Sequence, residues 1–462
     1  MLNFFKSNRI ALLIFISSCS LYLAFAYDLE RSHFIKLISL YGALFTFAYL
    51  FIEKLQLNFW LLACFGIIFR LLFLPAIPNL SQDFYRFLWD GRLLIQGINP
   101  YLFTPEFLLN DPGSLLQISV PQGNLLYQGM GVLNAGHYSN YPPVNQLFFT
   151  IAALFSGKSI VGSVVVLRLI MVLADIGILY FGRKVLLMLG LNTNKIFWYF
   201  LNPFIILELT GNLHFEGVML FFVIWCFHLL LKGKWFWAAV LLGVSVSVKL
   251  IPLLLLPLFY QWFVSSTFKM TNLIKMTRIL KFYAVVLITI AITFTPFLSS
   301  EFVSNFTSTI ALWFQNFEFN ASVYYIIRWI GYQVVGWNII ATVGKILPLI
   351  VIAFVLSLTF FRRNTTIQQL ITAMLLAISF YFLLSTTVHP WYITTPLLLS
   401  VFTKYRFPIV WSLMVMLSYS AYGSDGFSEK IWLVAIEYIT VIGFALYEVV
   451  YLKKRTNLVE SI

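Results

Sequence analysis

The chain has 462 residues, of which 61% are hydrophobic and 10% are charged, and its formal net charge is +13. A soluble domain of this size carries roughly a quarter charged residues, so the composition excludes an ordinary soluble globular protein. The apolar residues fall in blocks, many of them roughly 17 to 25 residues long, which is the length that crosses a bilayer. The basic residues cluster between these blocks, so we interpret them as topology signals and predict no nucleic-acid partner.

The first apolar block, 10–27, follows Lys6 and Arg9. The small residues Ala24 and Ala26 resemble a signal-peptide cleavage site. However, a block of this length exceeds an ordinary signal core and is long enough to span a bilayer. We therefore predict an uncleaved first transmembrane helix.

Placing the clusters of lysine and arginine on the cytoplasmic side gives one consistent topology for the whole chain. It predicts an all-α polytopic membrane protein with about 13–14 transmembrane helices and both termini in the cytoplasm. Several crossings are short, and short helices tolerate polar turns at membrane depth where these turns line a wet cavity. We therefore predict a cavity that opens on the outer side. The crossings are predicted near 10–27, 36–52, 58–75, 160–181, 196–209, 217–231, 235–249, 251–264, 282–298, 337–360, 367–385, 390–403, 407–421 and 431–451.

The longest hydrophilic stretch is the outer loop 76–143, between the third and fourth crossings. The segment after it, 144–156, is apolar but short. If it crossed the membrane, Arg183 and Lys184 would face outward, against the preference of basic residues for the cytoplasmic side. We therefore predict a helix that lies in the outer interface. The whole chain, 1–462, is predicted to be a single transmembrane domain.

The outer loop begins with SQDFYRFLWDGR, where acidic and basic residues lie close together. If residues 82–96 are helical, Asp83, Arg86 and Asp90 share one face, because positions three, four and seven apart are neighbours on a helix. Two interpretations of this face remain open: a cluster that acts on a lipid headgroup, or a solvated face held by salt bridges. The helix would be interfacial, and the residues predicted to face the lipid are Phe84, Phe87, Leu88 and Leu94.

The motif GNLHFEG, 211–217, lies at an outer turn between two short predicted helices. Asn212, His214 and Glu216 are polar groups at membrane depth, where such groups are costly and are candidates for function. The flanking glycines allow a close approach of the backbone. His214 and Glu216 alone are too few ligands for a metal ion, so we predict no metal site here.

Lys249 interrupts the apolar stretch VSVSVKLIPLLLLP and is followed closely by Pro252. A lysine at a helix junction can extend to water without any further role, or it can bind a phosphate as a point charge. The predicted topology places it at the outer mouth, on the same side as Asp83. We favour phosphate binding.

Two further polar residues, Arg328 and His389, each lie where an outer loop meets a helix. They are candidates for the same site, although a lone histidine is more often a hydrogen-bonded structural residue. Arg168 and Asp175 lie seven residues apart on one predicted helix. We interpret them as structural residues that pair with each other or bind neighbouring helices.

Together these segments resemble the GT-C superfamily of polytopic glycosyltransferases, which use polyprenyl-phosphate sugars. Within it, the chain is most similar to GPI mannosyltransferase I and to related bacterial mannosyltransferases. The resemblance covers about residues 70–400. Its carriers are DFYRFLWDGR, NPYLFTP and YPPV within 83–144, FWYFLNPFIILELTGNLHFEG at 197–217, AAVLLGVSVSVKLIPLLLLP at 238–257, FNASVYYIIR at 319–328 and HPWYITTPLLL at 389–399.

The resemblance implies a GT-C-like fold with the catalytic carboxylate in the loop 76–143, best matched by Asp83. It implies transfer of a hexose, mannose first of all, from a polyprenyl-phosphate donor to a lipid or glycan acceptor, by an inverting single displacement on the outer face of a bacterial cytoplasmic membrane. Lys249 is the first choice to stabilise the leaving phosphate. The full set of expected substrate-binding residues is Tyr85, Arg86, Asp90, Arg92, Tyr141, Asn212, His214, Glu216, Lys249, Arg328 and His389.

The chain departs from the eukaryotic relatives at the catalytic carboxylate. They carry a DxD motif before the tyrosine, whereas here only Asp83 precedes Tyr85, with Gln82 and Phe84 beside it. This difference disfavours a metal held by two carboxylates and leaves base catalysis by one carboxylate intact. We expect neither a cofactor nor a metal.

Two other classes of function compete with this interpretation. A transporter or flippase for a lipid-linked sugar also has many helices, broken helices and polar residues within the membrane. Against it, the sequence shows no inverted repeat, and the polar groups concentrate on one side. The third class is a non-catalytic membrane subunit of a larger glycosylation complex, which would bind the donor without transferring the sugar.

Overall fold

The computed structural model describes residues 9–55, 57–110, 119–264, 272–315, 317–424 and 426–460. Within these ranges the chain is almost entirely helical, and the exception is one short antiparallel pair, β1 (Tyr422–Gly423) with β2 (Gly426–Phe427). The predicted all-α architecture is therefore confirmed. Three parts of the sequence predictions lie outside the described residues: the basic residues Lys6 and Lys269, and positions 111–118 of the outer loop.

The first half of the described chain carries the helices that surround the outer loop. In chain order they are α1 (Arg9–Tyr27), α2 (Phe34–Tyr49, continued by a π-turn Leu50–Lys54), α3 (Phe59–Leu71), α4 (Asp83–Leu94), α5 (Pro105–Asn110), α6 (Gly123–Ala135), α7 (Pro143–Ser156), α8 (Ile160–Met188), α9 (Phe197–Phe200), α10 (Pro203–Ile205, continued by a π-turn Ile206–Gly211) and α11 (Glu216–Leu231).

The second half continues with helices that are more often interrupted. They are α12 (Trp235–Val248), α13 (Ile251–Leu255), α14 (Tyr260–Val264), α15 (Asn272–Phe294), α16 (Ser300–Gln315), α17 (Val323–Val335), α18 (Ile340–Phe361), α19 (Ile367–Leu384), α20 (Thr394–Ser400), α21 (Phe407–Met414) and α22 (Ile431–Glu460). Short 3₁₀ turns join several of them, at Leu256–Phe259, Pro390–Ile393 and Val415–Ala421.

Long apolar helices confirm a polytopic membrane protein. Among the described residues, seven helices are long and apolar enough to cross a membrane, judged by length and composition. The pair Pro203–Gly211 and Glu216–Leu231 passes the same test together and is bent by 114°. Several of the other predicted crossings correspond to shorter or broken helices. The shorter apolar helices are Phe59–Leu71, Pro143–Ser156, Trp235–Val248, Ile251–Val264 and Phe407–Ala421.

Helix α4 differs from the prediction. Phe84, Phe87 and Leu88 do not face lipid, because they are 0%, 2% and 2% exposed and lie in the protein core. The cause is the packing of α4 against both α6 and α7. The ring of Phe87 stacks on Phe149 of α7 at a centroid distance of 4.6 Å and an interplanar angle of 7°. The helix that begins with Asp83 therefore packs in the protein core.

Arg168 and Asp175 are structural, as predicted, but they bind different partners. The Asp175 carboxylate accepts hydrogen bonds from Arg70 Nε on α3 and from the Tyr199 hydroxyl, both at 2.8 Å. The Arg168 guanidinium donates to backbone carbonyls, among them Thr210 at 2.7 Å and Gly211 at 2.9 Å. These carbonyls end the π-turn before the 114° bend, and a buried carbonyl without a donor is costly. Arg168 therefore stabilises the broken helix beside the candidate site.

We predict that Asp175→Asn destabilises the protein strongly. The substitution keeps the shape but leaves the Arg70 charge, which is 0% exposed, without its carboxylate. Removal of one partner of a buried pair costs about 3–5 kcal/mol. The measurement is thermal unfolding of the purified protein in detergent. Asp28→Asn is the control, because Asp28 pairs with Lys36 at the surface and we expect little change in its melting temperature. Equal shifts for the two variants would contradict the prediction.

Candidate active site

The candidate site begins at the first residue of α4. Asp83 follows Ser81, whose hydroxyl accepts the Asp83 backbone N–H at 3.3 Å. The preceding residue Leu80 donates its backbone N–H to the Asn212 side-chain oxygen at 3.2 Å. Asn212 belongs to the GNLHFEG turn, so this hydrogen bond holds the start of α4 against the bend between α10 and α11. The turn and the loop carboxylate, separate in the sequence, are thus adjacent in the fold.

The Asp83 carboxylate is half-buried and is surrounded by hydrogen-bond donors and cations. Its hydrogen-bond partners are the side chains of Asn134 and Tyr141. Burial raises the pKa of Asp83, and the positive charges of Lys249 and Arg31 act in the opposite direction, as do these hydrogen bonds. A carboxylate that is partly desolvated but still stabilised in its ionised form suits the role of a general base.

Lys249 lies at a break between two helices, as the sequence predicts. Helix α12 ends at Val248, Lys249 is extended (φ −147°, ψ 141°), and α13 begins at Ile251. The Lys249 ammonium forms an ion pair with one carboxylate oxygen of Glu216, the first residue of α11. The second carboxylate oxygen of Glu216 is buried and has no hydrogen-bond partner within the described part of the chain. The pair therefore links two helix breaks and leaves one acceptor atom available at the site.

Rings from three segments pack around the two histidines of the site. Trp391 stacks on His214 at 3.7 Å and on His389 at 4.5 Å between ring centroids. His389 also packs against Phe319 at 5.2 Å. The backbone of Phe319 accepts the N–H of Val388 at 2.8 Å, which fixes the segment that carries His389. These contacts place the motif HPWYITTPLLL, and with it the start of FNASVYYIIR, beside the GNLHFEG turn.

Each of these histidines presents a buried ring nitrogen without a hydrogen-bond partner among the described residues: Nε2 of His214 and Nδ1 of His389. Burial, with the charges of Arg31 and Lys249, lowers the pKa of His389 to about 3. The imidazole is therefore neutral near pH 7 and can form a hydrogen bond with a hydroxyl group without adding charge.

Arg31 is a member of the site that the sequence analysis missed. It lies in the short loop between α1 and α2, and its guanidinium carbon is 3.2 Å from the ring centroid of Tyr422 in β1. Its charge acts on Asp83 and on both histidines. Its Nε atom is buried and lacks a partner within the described ranges. The sequence did contain a signal, because a basic residue in a short loop predicted to lie on the outer side runs against the usual charge bias of such loops.

The comparisons with known proteins bear on this part of the chain. A family model described as alpha-(1->6)-mannopyranosyltransferase, N-terminal domain (the MptA_B family), matches residues 36–266, which is half of the chain. The chain belongs to this family. The match includes Asp83, Glu216 and Lys249, whereas Arg31 and His389 lie outside it. The resemblance to bacterial GT-C-like mannosyltransferases is thereby confirmed.

One curated relative also aligns with part of this chain. It is alpha-(1->6)-mannopyranosyltransferase A of Mycobacterium tuberculosis (strain ATCC 25618 / H37Rv), which is 25% identical over 190 residues. The alignment covers 41% of this chain and 34% of the relative, so the chain matches about a third of the relative's length. The likeness therefore supports the family and leaves activity and substrates to be proposed.

In this chain, three residues expected to bind substrate lie on α4 and take part in a buried hydrogen-bond network. Arg86 Nε pairs with Asp90 Oδ1 at 2.8 Å, and the other oxygen of Asp90 accepts from Ser139 and from Gln146 at 2.9 Å. Arg92 donates to Gln122 at 3.1 Å and to backbone carbonyls. The three side chains are 4%, 0% and 1% exposed. They bind α4 to its neighbours, so the solvated face considered from the sequence is wrong.

Two further candidates, Tyr85 and Arg328, contact residues outside the group around Asp83. Tyr85 is half-buried and packs over Gly129 of α6. Arg328 forms an ion pair with Glu318, and its guanidinium lies 4.2 Å from the ring centroid of Tyr325. The fold therefore brings together seven of the twelve expected site residues and adds Arg31. These seven are Asp83, Tyr141, Asn212, His214, Glu216, Lys249 and His389.

The described residues contain no group of three or more histidine, cysteine, aspartate or glutamate side chains arranged to hold a metal ion. Near Asp83, the carboxylate of Glu216 is already paired with a lysine. The expectation of a reaction without a metal remains a prediction.

The position of Asp83 depends on the close approach of α4 to α7 at Gly91. A Cβ atom at Gly91 would lie 2.3 Å from the backbone oxygen of Phe149. We predict that Gly91→Ala separates the two helices and destabilises the protein by about 1–3 kcal/mol, the usual cost of overpacking. Thermal unfolding in detergent measures the effect. In the control, Gly42→Ala, the new Cβ meets nothing within 4 Å, so its melting temperature should stay near that of the wild type. An equally stable Gly91→Ala protein would contradict the prediction.

Proposed function

We propose that this protein is a membrane mannosyltransferase that moves a mannosyl group from a polyprenyl-phosphate donor to a lipid or glycan acceptor. The observation that carries the proposal is the grouping of the Asp83 carboxylate with two cations, Lys249 and Arg31, in a member of a mannosyltransferase family. A transfer from a sugar phosphate needs a base for the acceptor and positive charge for the leaving phosphate. The site offers both within one group of side chains.

Asp83 is the general base in this mechanism. Its carboxylate accepts the proton of the acceptor hydroxyl while that oxygen attacks the anomeric carbon of the mannose. The attack comes from the face opposite the phosphate, so the bond from the anomeric carbon to the phosphate oxygen breaks as the new glycosidic bond forms. The configuration at the anomeric carbon inverts. Asn134 and Tyr141 hold the carboxylate in place through their hydrogen bonds.

The leaving group is a lipid monophosphate, on which negative charge increases as the bond breaks. Lys249 and Arg31 stabilise this charge because both are fixed by the protein before the reaction: Lys249 by Glu216 and Arg31 by the ring of Tyr422. Fixed charges in a site that excludes water are worth more than the same charges in solution. These two residues therefore supply the electrostatic stabilisation of the reaction.

Three buried polar atoms without hydrogen-bond partners among the described residues bind the sugar. The free oxygen of Glu216 accepts a hydrogen bond from a mannose hydroxyl, and Nδ1 of His389 and Nε2 of His214 each bind another. A buried acceptor or donor without a partner is costly, so a ligand that satisfies all three atoms gains affinity. A hydroxyl-rich hexose meets that requirement.

The site lies on the non-cytoplasmic face of a bacterial cytoplasmic membrane, and both termini lie in the cytoplasm. In support, the topology predicted from the lysine and arginine clusters has Arg31, Asp83, Lys249 and His389 on the side opposite to most of these clusters. The polyprenyl tail of the donor lies between helices. The bilayer thus delivers the donor to the site.

The central test replaces the base. We predict that Asp83→Asn lowers the transfer rate by roughly 10²–10⁴-fold, the usual contribution of a positioned general base. The purified protein is incubated with labelled polyprenyl-phosphate mannose and a membrane lipid extract, and the labelled product is identified. Asp28→Asn, which removes an exposed carboxylate paired with Lys36, is the control and should keep normal activity.

Two outcomes would contradict this proposal. Near-normal activity of a folded Asp83→Asn protein would exclude Asp83 as the base. Movement of the lipid-linked sugar across liposomes by the wild type, with no labelled transfer product, would favour a transporter.

The pH dependence tests the role of Arg31 separately. Asp83 acts only when ionised, so kcat/KM falls as the pH drops through its pKa, which burial holds above the ordinary value of about 3.9. The charge of Arg31 opposes that rise. We predict that Arg31→Gln raises the pKa of Asp83 further and moves the acidic limb of kcat/KM to higher pH. Arg31→Lys keeps the charge and should keep the limb close to the wild-type position. An unmoved limb in Arg31→Gln would exclude electrostatic coupling between the two residues.

A further inference from the structure

A large cavity lies away from the candidate active site. Its volume is about 1760 Å³, and its lining shares no residue with the group around Asp83. The walls come from the π-turn after α2, from residues 192–198, from the start of α19, from the segment between α20 and α21, and from α22. These parts carry the basic clusters that the sequence places in the cytoplasm. The cavity therefore faces the opposite side of the membrane from Asp83 in the predicted topology.

Four cations line this cavity, and they come from three separate segments of the sequence: Lys195, Arg362, Lys404 and Arg406. Within the described ranges, none of the four pairs with a carboxylate within 4.0 Å. Lys195 donates to the backbone oxygen of Thr403 at 3.3 Å, and Arg362 donates to neutral oxygens only. The folded chain thus gathers four positive charges here without a direct ion pair to any of them.

The two carboxylates of the lining are occupied by other groups. Glu53 accepts the indole N–H of Trp198 at 3.2 Å. Glu448 accepts the backbone N–H groups of Arg406 and Phe407, each at 2.9 Å, and so holds the start of α21. These hydrogen bonds direct the acidic groups towards protein donors. Four cations and two carboxylates line the cavity, so its net charge is positive.

The environment of Lys195 shows the effect of this excess charge. Burial and the positive charge of Arg406 both lower the pKa of Lys195. An anion between the two side chains would offset the repulsion between them, because opposite charges attract strongly in a partly desolvated site. The geometry therefore favours an anionic occupant.

The size and the aromatic lining of the cavity favour a lipid headgroup. Small-molecule pockets usually measure roughly 300–1,000 Å³, so this volume exceeds that of an ordinary metabolite site. Trp198, Tyr405 and Tyr447 line it, and such rings concentrate at the level of lipid headgroups. Guanidinium and ammonium groups together are the usual partners of a phosphate.

We propose that this cavity is a binding site for a phosphate-bearing anion, supplied by an anionic lipid headgroup or by a soluble phosphate. Lys404 and Arg406 are both exposed and form its entrance, whereas Lys195 and Arg362 lie deeper. The site is separate from the transfer reaction and does not depend on the proposed chemistry at Asp83.

The test measures binding to the full-length purified protein. The protein in detergent is titrated in parallel with phosphatidylglycerol, with phosphatidylcholine and with inorganic phosphate, and binding is followed by native mass spectrometry and by thermal stabilisation. The variant combines Lys404→Gln with Arg406→Gln, which leaves the backbone hydrogen bonds to Glu448 in place. We expect it to bind phosphatidylglycerol roughly 30-fold more weakly, since each basic residue near the lipid surface contributes about fivefold in affinity.

The matched control combines Lys232→Gln with Lys234→Gln. These two exposed lysines belong to the same predicted side and do not line the cavity. The control should bind phosphatidylglycerol as tightly as the wild type. Both double variants lose two positive charges. A difference in their affinity for phosphatidylglycerol is therefore due to the position of the charges in the cavity and not to the net charge of the protein. The melting temperature without ligand shows whether each variant is folded.

The two sources of phosphate are distinguished by the parallel titrations. Binding of phosphatidylglycerol that is lost in the cavity variant supports a lipid headgroup. Binding of inorganic phosphate that is lost in the same variant, without preference for phosphatidylglycerol over phosphatidylcholine, supports a soluble phosphate. If neither ligand binds, or if the cavity variant and the control lose binding equally, the proposal is overturned.

Discussion

The ion pair between Lys249 and Glu216 is the interaction on which the candidate site depends. It joins the end of α12 to the start of α11, and at both places a helix is interrupted inside an apolar chain. Glu216 is fully buried, and a buried charge is stable only with a partner. The pair therefore fixes the two breaks relative to each other. Asp83 reaches the same place because Leu80 is held by Asn212, four residues before Glu216.

Broken helices in an apolar protein leave backbone groups that need partners, and this chain supplies them with arginine. Arg168 binds the carbonyls at the end of the π-turn before the bend, and Arg70 binds the carbonyls of Gly66 and Phe200. Both side chains are 0% exposed. Polar groups of this kind are costly without partners, so the breaks and the buried arginines depend on each other. The result is a rigid irregular region where chemistry is possible.

The polar features divide between two ends of the molecule. Carboxylates, cations and neutral histidines mix around Asp83, which suits the transfer of a sugar from a phosphate. The cavity near Lys404 instead collects four cations and two carboxylates, and the two carboxylates accept neutral N–H groups. The sequence predicted an outward cavity at the helix breaks, whereas this large cavity lies among the basic clusters. Basic residues interpreted as topology signals thus also line a candidate site.

Composition and the pattern of apolar blocks were sufficient to establish an all-α membrane protein, because a bilayer demands long apolar helices whatever their packing. Local signals also located the breaks at 211–217 and at Lys249, since polar residues and prolines interrupt helices where they stand. Only the tertiary structure showed that α4 is a core helix and that Arg86, Asp90 and Arg92 bind it to its neighbours. The proximity of Arg31 to Asp83 was also visible only in the tertiary structure. The two residues are 52 positions apart, and a local sequence pattern does not predict a contact that depends on the packing of distant segments.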